Sequence, residues 1–270
     1  FTFGDGIPKI AVPIFGASGE EIFASAAVAR KEIDRLDEEY KDYPQYKVAV
    51  IEWRADYYNN IMEPQNVFNI LRHLRSLFQD RIVLFTFRSE EQGGELRHDM
   101  VQHRMADIMI NVCSSGMIDM VDVEAAAGNY NIARATTKCH EAGIAVILSY
   151  HDFNNTPHDS EIEEKLRRME ILGGDILKIA TMPKNEFDVR RMMEMNQRVI
   201  VDRKKPVTLI SMGELGIPSR IRGEETGACL TFASIGRRSA PGQISADELI
   251  KRMIRRQKVL LTPTSLYSVT

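Results

Sequence analysis

One lysine stands where lysine is rarely found. Lys178 lies inside the apolar run Ile-Leu-Lys-Ile-Ala at residues 176–180, and an unpaired ammonium is costly in apolar surroundings. Burial and nearby cations would lower the pKa of this amine from its usual value of about 10. A neutral amine can attack a ketone and form an imine, which acidifies the neighbouring C–H bond. Lys178 is therefore a candidate nucleophile, with an outward-facing lysine at a strand edge as the alternative.

His151 is the candidate for moving the proton that such an imine releases. It directly follows the apolar run 144–150. If consecutive strands are neighbours, it would lie within reach of a substrate held on Lys178. No two histidines have the spacing of a zinc site, so we expect no metal. The remaining histidines are interpreted as surface or packing residues: His73, His98, His103, His140 and His158.

Further polar residues interrupt or end other apolar runs. Glu52 and Arg54 are two residues apart, as are Asp122 and Glu124, and residues at this spacing share one face of a strand. Arg88 follows a third run. Simpler interpretations stay open: a structural ion pair between Glu52 and Arg54, a strand cap for Arg88, and hydrogen-bonded supporting roles for the two acids. Together these positions predict a charged rim.

Eight short runs rich in Val and Ile must position these residues. Their length and composition are typical of strands that are buried on both faces. With about 34 residues per unit, they favour a (β/α)8 TIM barrel, whose active site lies at the carboxyl ends of the strands. No linker interrupts residues 1–270, so we expect one catalytic domain. A doubly wound sheet is the alternative, but no GxGxxG follows the first run. The predicted strands are Lys9–Phe15, Lys47–Trp53, Ile82–Phe87, Met117–Val123, Ile144–Tyr150, Ile176–Ala180, Val207–Met212 and Ala228–Ala233.

Capping signals indicate where several helices begin. Ser18, Ser160 and Ser245 each precede a glutamate by three residues, which is the pattern of a capping box. Pro64 is typical of the first position of a helix. The stretch after Lys258 has no place among the eight units and is interpreted as a tail on the outside of the barrel.

Composition excludes several classes of function. The chain has 35 Lys and Arg against 38 Asp and Glu, a net charge of −3, which is not the basic excess of a nucleic-acid binder. No apolar run approaches the ~18 residues of a membrane span. The three cysteines (Cys113, Cys139 and Cys229) have no CxxC spacing, so we expect no disulfide framework and no zinc knuckle. No signal peptide is visible. These features predict a cytoplasmic protein without membrane or nucleic-acid partners.

Seven separated segments resemble the type I 3-dehydroquinate dehydratase family. Each is a weak motif alone, but they occur in the family's order from residue 8 to about residue 250. The segments are Pro-Lys-Ile at 8–10, Glu-Trp-Arg-Ala-Asp at 52–56, Phe-Arg-Ser at 87–89 with Gly-Gly-Glu at 93–95, Ser-Tyr-His-Asp-Phe at 149–153 with Thr-Pro at 156–157, Gly-Asp-Ile-Leu-Lys-Ile-Ala at 174–180, Ser-Met-Gly at 211–213 with Ser-Arg at 219–220, and Ser-Ala-Pro-Gly-Gln at 239–243.

The resemblance implies an activity and a role for each matching residue. Lys178 would form an imine with the C3 ketone of 3-dehydroquinate, and His151 would carry the protons of a syn elimination of water that gives 3-dehydroshikimate. Arg220 would bind the substrate carboxylate. Ser239 and Gln243 would contact ring substituents and close the site. The ring hydroxyls would be held by Glu52, Arg54 and Arg88. Apolar walls around the ring would be formed by Met212 and Phe232.

The resemblance also implies the setting of the enzyme: no cofactor, a homodimer, and the third step of the shikimate pathway to chorismate and aromatic amino acids. One position departs from the family, because Gln92 stands where members usually have the Glu that orients the histidine. A neutral amide supports an imidazolium less well than a carboxylate does, so we expect a lower pKa for His151.

Two other functions remain open at this point. A class I aldolase would also use a strand lysine, but it would need a phosphate site, often after the last two strands, where no glycine-rich cradle is visible. A catalytically silent barrel is the alternative from another class, and the presence of both Lys178 and His151 argues against it.

Overall fold

The computed structural model describes residues 2–95 and 98–261, apart from the side chains of residues 98–103 and 261. Eight strands run parallel in the order β7-β6-β5-β4-β3-β2-β1-β8. The two outer strands approach each other, because Cys229 N, just before β8, donates to Val207 O of β7 at 3.0 Å. The sheet is therefore a nearly closed barrel, and the predicted TIM barrel is confirmed. The strands are β1 (Lys9–Ile14), β2 (Val48–Arg54), β3 (Ile82–Thr86), β4 (Met120–Glu124), β5 (Ala145–Asp152), β6 (Ile176–Thr181), β7 (Val207–Ser211) and β8 (Leu230–Phe232).

Helices alternate with these strands and surround them. Short 3₁₀ turns also follow β2 (Ala55–Tyr57) and β3 (Glu90–Gln92). The α-helices are α1 (Gly19–Glu39), α2 (Pro64–Leu77), α3 (His98–Cys113), α4 (Asn129–Glu141), α5 (Asp159–Ile171), α6 (Glu186–Asp202), α7 (Ile217–Ile221), α8 (Gly223–Thr226) and α9 (Ala246–Leu261).

The local signals of the sequence are confirmed at most helix starts. Ser18 and Ser245 cap α1 and α9 by accepting hydrogen bonds from Glu21 N and Glu248 N, and Pro64 begins α2. The prediction for Ser160 is wrong, because α5 already begins at Asp159 and Ser160 lies within its first turn. At the other end of the chain, α9 continues past Lys258 to Leu261. The rest of the predicted tail lies outside the described residues.

Alternate strand residues enter two different apolar layers. One set packs between the strands and the surrounding helices, with Trp53 and Phe85 among its largest members. The other set fills the barrel interior and includes Leu84, Ile147 and Ile176. Burying each such side chain contributes roughly 1.5–3 kcal/mol. Towards the carboxyl ends of the strands the interior positions become polar, so an apolar floor supports a charged mouth.

One expectation about the cysteines is wrong. Cys113 at the end of α3 and Cys139 in α4 form a disulfide, while Cys229 is free and buried. Both paired cysteines are buried where α3 and α4 pack together. A separation of 26 residues without a CxxC motif gives no sign of this proximity, which depends on the packing of two successive helices.

Within the described part of the chain, no helix combines the length and apolar character needed to cross a membrane.

Candidate active site

The residues predicted from the sequence converge on one pocket at the carboxyl ends of the strands. It is an open cleft with about 510 Å³ of empty space, part of which is open solvent. Backbone loops and apolar side chains that were not predicted also contribute, namely Gly93, Phe153, Ala180, Ile210 and Ala240. The predicted residues that line it are Glu52, Arg54, Arg88, Gln92, His151, Lys178, Met212, Arg220, Phe232, Ser239 and Gln243.

Lys178 points into the barrel from the middle of β6. Its Nζ donates a hydrogen bond to Asp122 Oδ2 at 3.1 Å and lies 4.4 Å from the centroid of the Phe232 ring. Burial lowers the pKa of Lys178 below its ordinary value; Asp122 opposes this shift, and Arg88 adds to it. The outward-facing alternative is therefore wrong, and a buried amine with a lowered pKa is a group that can act as a nucleophile.

His151 lies on the neighbouring strand, beyond the level of the lysine. Ser149 of β5 is paired with Lys178, and His151 is paired with Ala180, so His151 shares the inward face of Ser149. Its Nδ1 is buried and has no hydrogen-bond partner among the residues that the structure describes. Burial, followed by the charges of Arg88 and Lys178, holds the pKa of His151 well below 6.5. The imidazole is thus neutral near pH 7 and can accept a proton.

Gln92 holds the main chain of His151 rather than its ring. Its Oε1 accepts a hydrogen bond from His151 N at 2.7 Å, and its Nε2 donates to His151 O at 3.3 Å. The Gln92 amide therefore orients His151 through its backbone. The turn that carries Gln92 folds back tightly on Arg88 because residue 94 is glycine: a Cβ there would lie 2.0 Å from Arg88 O.

Arg88 belongs to a buried charge network. Its Nη2 lies 2.9 Å from Asp122 Oδ2, its Nη1 donates to Ser149 Oγ at 2.6 Å, and Glu124 Oε1 is 3.7 Å away. Ser149 Oγ in turn donates to Asp122. Although burial favours the neutral acid, Arg88 and Lys178 hold the pKa of Asp122 far below its usual range. Both acids were expected to be supporting groups, but their partners were not predicted, since these lie on neighbouring strands.

Glu52 and Arg54 do not pair with each other. Arg54 Nε and Nη2 donate to both carboxylate oxygens of Asp56 at 2.9 and 2.8 Å, and Nη2 also donates to Gly93 O at 3.3 Å. Glu52 Oε1 accepts from Thr86 Oγ1 at 2.9 Å. Arg54 is therefore oriented by Asp56, the last residue of the Glu-Trp-Arg-Ala-Asp motif. Glu52 lines the pocket. Among the described residues, no Lys or Arg side chain lies within hydrogen-bond distance of its carboxylate.

Arg220 is a buried guanidinium of a different kind. It lies on α7 with only carbonyl acceptors, Pro241 O at 3.2 Å and Phe232 O at 3.5 Å, while its Nε has no partner. Burial alone lowers the pKa of Arg220 to about 10. In the part of the chain that the structure describes, no carboxylate neutralises it. A pocket-lining guanidinium with unused donors suits an anionic ligand, above all a carboxylate.

Ser239 and Gln243 bond to each other in the loop after β8. Gln243 Oε1 accepts from Ser239 N at 2.9 Å, and its Nε2 donates to Ser239 Oγ at 3.1 Å. Met212 and Phe232 add apolar surface to the same pocket. Among the described residues, no group of three or more His, Cys, Asp and Glu side chains could hold a metal ion.

Comparison with known proteins identifies the family. The model of the type I 3-dehydroquinase family matches residues 25–256. The chain is 37% identical over 249 residues to the 3-dehydroquinate dehydratase of Clostridioides difficile (strain 630), covering 92% of this chain and 91% of the relative. It is 35% identical over 248 residues to that of Listeria monocytogenes serotype 4b (strain F2365), covering 92% of each.

Solved structures agree with this match. A crystal structure of type I 3-dehydroquinate dehydratase from Clostridium difficile with covalently modified comenic acid superposes with a TM-score of 0.85 at 35% identity, covering 96% of each chain. The enzyme from Geobacillus kaustophilus HTA426 gives a TM-score of 0.82 at 29% identity, covering 93% of this chain and 91% of the other. The chain therefore belongs to the type I 3-dehydroquinase family, whose members are hydro-lyases.

Proposed function

We propose that this protein removes water from 3-dehydroquinate through an imine on Lys178, with His151 carrying the protons. The observation that carries the proposal is the pairing of Lys178, whose pKa is lowered by burial, with a pocket-lining histidine whose Nδ1 has no partner. The family match favours this dehydratase over a class I aldolase and over a silent barrel.

The first step joins the substrate to the enzyme. The neutral amine of Lys178 attacks the C3 ketone, and loss of water together with uptake of one proton from solvent gives a protonated imine. Asp122 stays ionised beside this nitrogen because Arg88 and Lys178 keep its pKa low. Its negative charge balances the iminium cation in surroundings of low polarity.

Proton transfer and elimination follow on the same substrate. The imine acidifies C2–H, and neutral His151 takes that proton to leave an enamine. The protonated imidazole then delivers a proton to the C1 hydroxyl, which departs as water while the iminium re-forms. A water molecule hydrolyses the protonated imine, which releases 3-dehydroshikimate, gives one proton back to solvent and returns the neutral amine of Lys178. One imidazole serves as base and then as acid, which accounts for a syn elimination.

Substrate recognition is assigned from the charge state of each pocket residue. Arg220 binds the carboxylate, since it alone of the pocket arginines in the described chain has no acidic partner. Glu52 and Arg54 hold ring hydroxyls, and Met212 and Phe232 flank the ring. Arg88 already donates to Ser149 and Asp122, so we assign it to orienting Asp122 in place of the hydroxyl contact expected from the resemblance. Contacts with ring substituents are completed by Ser239 and Gln243.

The same proposal includes the biological setting that the resemblance implies. The reaction would be the third step of the shikimate pathway, carried out in the cytoplasm by a homodimer without a cofactor. The names of the relatives support the substrate and hence the pathway step. Sedimentation of the purified chain tests the dimer.

Turnover of 3-dehydroquinate tests the proposal. The product is a conjugated enone, so its formation is followed by ultraviolet absorbance. We expect Lys178→Ala and the more nearly isosteric Lys178→Met to lose at least about 10⁴-fold in kcat, because covalent catalysis is removed. Thr208→Val, a neighbour of Lys178 in the β6–β7 ladder outside the pocket lining, is the control. Wild type without dehydratase activity, or Lys178→Met with near-normal turnover, would contradict the proposal.

A further inference from the structure

The segment of residues 239–243 covers the pocket and is fixed at its carboxyl end through the main chain. Pro241 O accepts hydrogen bonds from Arg220 Nη2 at 3.2 Å and from Gly213 N at 3.3 Å. Gly242 has φ of +72°, and a Cβ there would lie 2.0 Å from Gly213 O. Only glycine permits this approach. The carboxyl end of the segment is therefore attached to the loop after β7.

The amino end of the segment is held by cation–π contacts in place of hydrogen bonds. The guanidinium carbon of Arg237 lies 5.0 Å from the ring centroid of Phe15 and 5.6 Å from that of Tyr57. The two rings contact each other with centroids 5.1 Å apart. Phe15 follows β1, and Tyr57 ends the 3₁₀ turn after β2. Arg237 thus reaches from the last strand loop to the first two.

These ring contacts are the interactions that Arg237 makes in the described part of the chain, where no carboxylate pairs with it. The Tyr57 ring also lies 5.1 Å from the guanidinium carbon of Arg54, which lines the pocket and is oriented by Asp56. A single tyrosine therefore connects the covering segment to a wall of the pocket.

We propose that Arg237 is a positioning residue, whose contacts with Phe15 and Tyr57 latch residues 239–243 over the bound substrate. The latch brings Ser239 and Gln243 to the ring, and in this respect it rests on the proposed function. The Arg237 guanidinium is itself exposed, and such a group over one buried and one half-buried ring binds only modestly. The segment can therefore open for substrate entry and product release and close during the chemistry.

The neighbouring Arg238 provides a matched control. Like Arg237 it is exposed and carries a positive charge, but it makes no ring contact with the residues that the structure describes. If Arg237 acted only by attracting an anionic substrate, removal of either arginine would have the same effect. If it acts as a latch, the effect belongs to Arg237 alone.

Two measurements on the purified enzyme test the latch: amide hydrogen exchange of the peptide spanning residues 234–245, and steady-state kinetics with 3-dehydroquinate. We expect Arg237→Ala to speed exchange and to lower kcat/KM, each by about twofold to tenfold, because an exposed guanidinium over aromatic rings is held only weakly. Arg238→Ala should change neither, and Arg237→Lys should recover part of the loss. In a double-mutant cycle with Phe15→Leu, the double variant should lose less than the product of the two single losses.

Equal effects of Arg237→Ala and Arg238→Ala would overturn the latch, as would exchange rates unchanged by Arg237→Ala. Multiplicative losses in the double variant would do the same. Hydrogen exchange is measured on the free enzyme, so it reports on the latch even if no imine forms on Lys178. The latch and the proposed function can therefore fail separately.

Discussion

Two equally buried arginines face the same pocket in opposite electrostatic conditions. Arg88 after β3 and Arg220 after β7 are each only 3% exposed. Burial opposes the charge of Arg88, but Asp122 and Glu124 outweigh it and raise its pKa. For Arg220, burial acts alone and lowers the pKa to about 10. Arg88 is therefore part of the folded framework, whereas Arg220 has no acidic partner among the described residues, as the proposed binding of the substrate carboxylate requires.

This difference distinguishes buried charges that stabilise the folded site from buried charges that are available to bind a ligand. A buried charge whose partner is removed destabilises the fold strongly. A buried charge that has no partner already costs stability, and it is retained where a ligand uses it. Changes near Arg88 should therefore act mainly on folding, and changes at Arg220 mainly on substrate binding.

The largest effect is expected at Asp122. Asp122→Asn leaves Arg88 and Lys178 without their shared carboxylate, so the free energy of unfolding should fall by about 3–5 kcal/mol. Denaturant unfolding measures this. The matched control is Glu164→Gln, which breaks an exposed ion pair with Arg167 and should cost less than about 1 kcal/mol. Similar losses in the two variants would show that the buried network stabilises the fold no more than a surface ion pair does.

A smaller effect, on binding alone, is expected at Arg220. Arg220→Gln should raise KM for 3-dehydroquinate by roughly 10²–10³-fold, because two charge-assisted hydrogen bonds to a carboxylate are lost. The free energy of unfolding should stay the same or rise, since an unpaired buried cation is removed. If Arg220→Gln were less stable than the wild type and had an unchanged KM, Arg220 would be the structural arginine, which would contradict this account.

The smallest effect is expected at Gln92, on the pH dependence. The base must be neutral to act, and the pKa of His151 is lowered. The acidic limb of kcat/KM should therefore lie well below pH 6.5 in the wild type. Gln92→Glu places a carboxylate beside the main chain of His151 and favours the protonated imidazole, so the limb should move upward by about one pH unit.

Glu90→Gln is the control for that shift, because it changes a charge at an exposed residue of the same turn. An acidic limb that does not move in Gln92→Glu would show that this position acts through geometry alone. That result would break the link between the family's usual glutamate and the charge state of the histidine.

Much of the site could be predicted because strand periodicity fixes which residues point inward. A lysine within an apolar strand and a histidine at the end of the preceding one were sufficient to locate the pocket. Strand positions also placed Glu52, Arg54 and Arg88 at its rim, and the resemblance supplied the other predicted residues of its lining. The partners of those residues were not predictable. Whether Arg88 meets Asp122 or a substrate hydroxyl depends on the register between β3, β4 and β5, which no local pattern encodes.

The other predictions that the structure corrects also depended on contacts between residues far apart in the sequence. The target of the Gln92 amide follows from how its turn lies against β5. The pairing of Cys113 with Cys139 follows from the packing of two helices. Ser160 fits a capping pattern, but the chain enters α5 earlier. Each case required knowledge of three-dimensional neighbours.

Borohydride reduction in the presence of 3-dehydroquinate, followed by intact-mass analysis, tests the imine on Lys178 most directly. We expect one stable adduct per chain on the wild type, mapped by peptide analysis to Lys178, and none on Lys178→Ala. His151→Ala should still form the adduct while its turnover is severely slowed. No adduct on the wild type, or an equal adduct on Lys178→Ala, would contradict catalysis through an imine at this lysine.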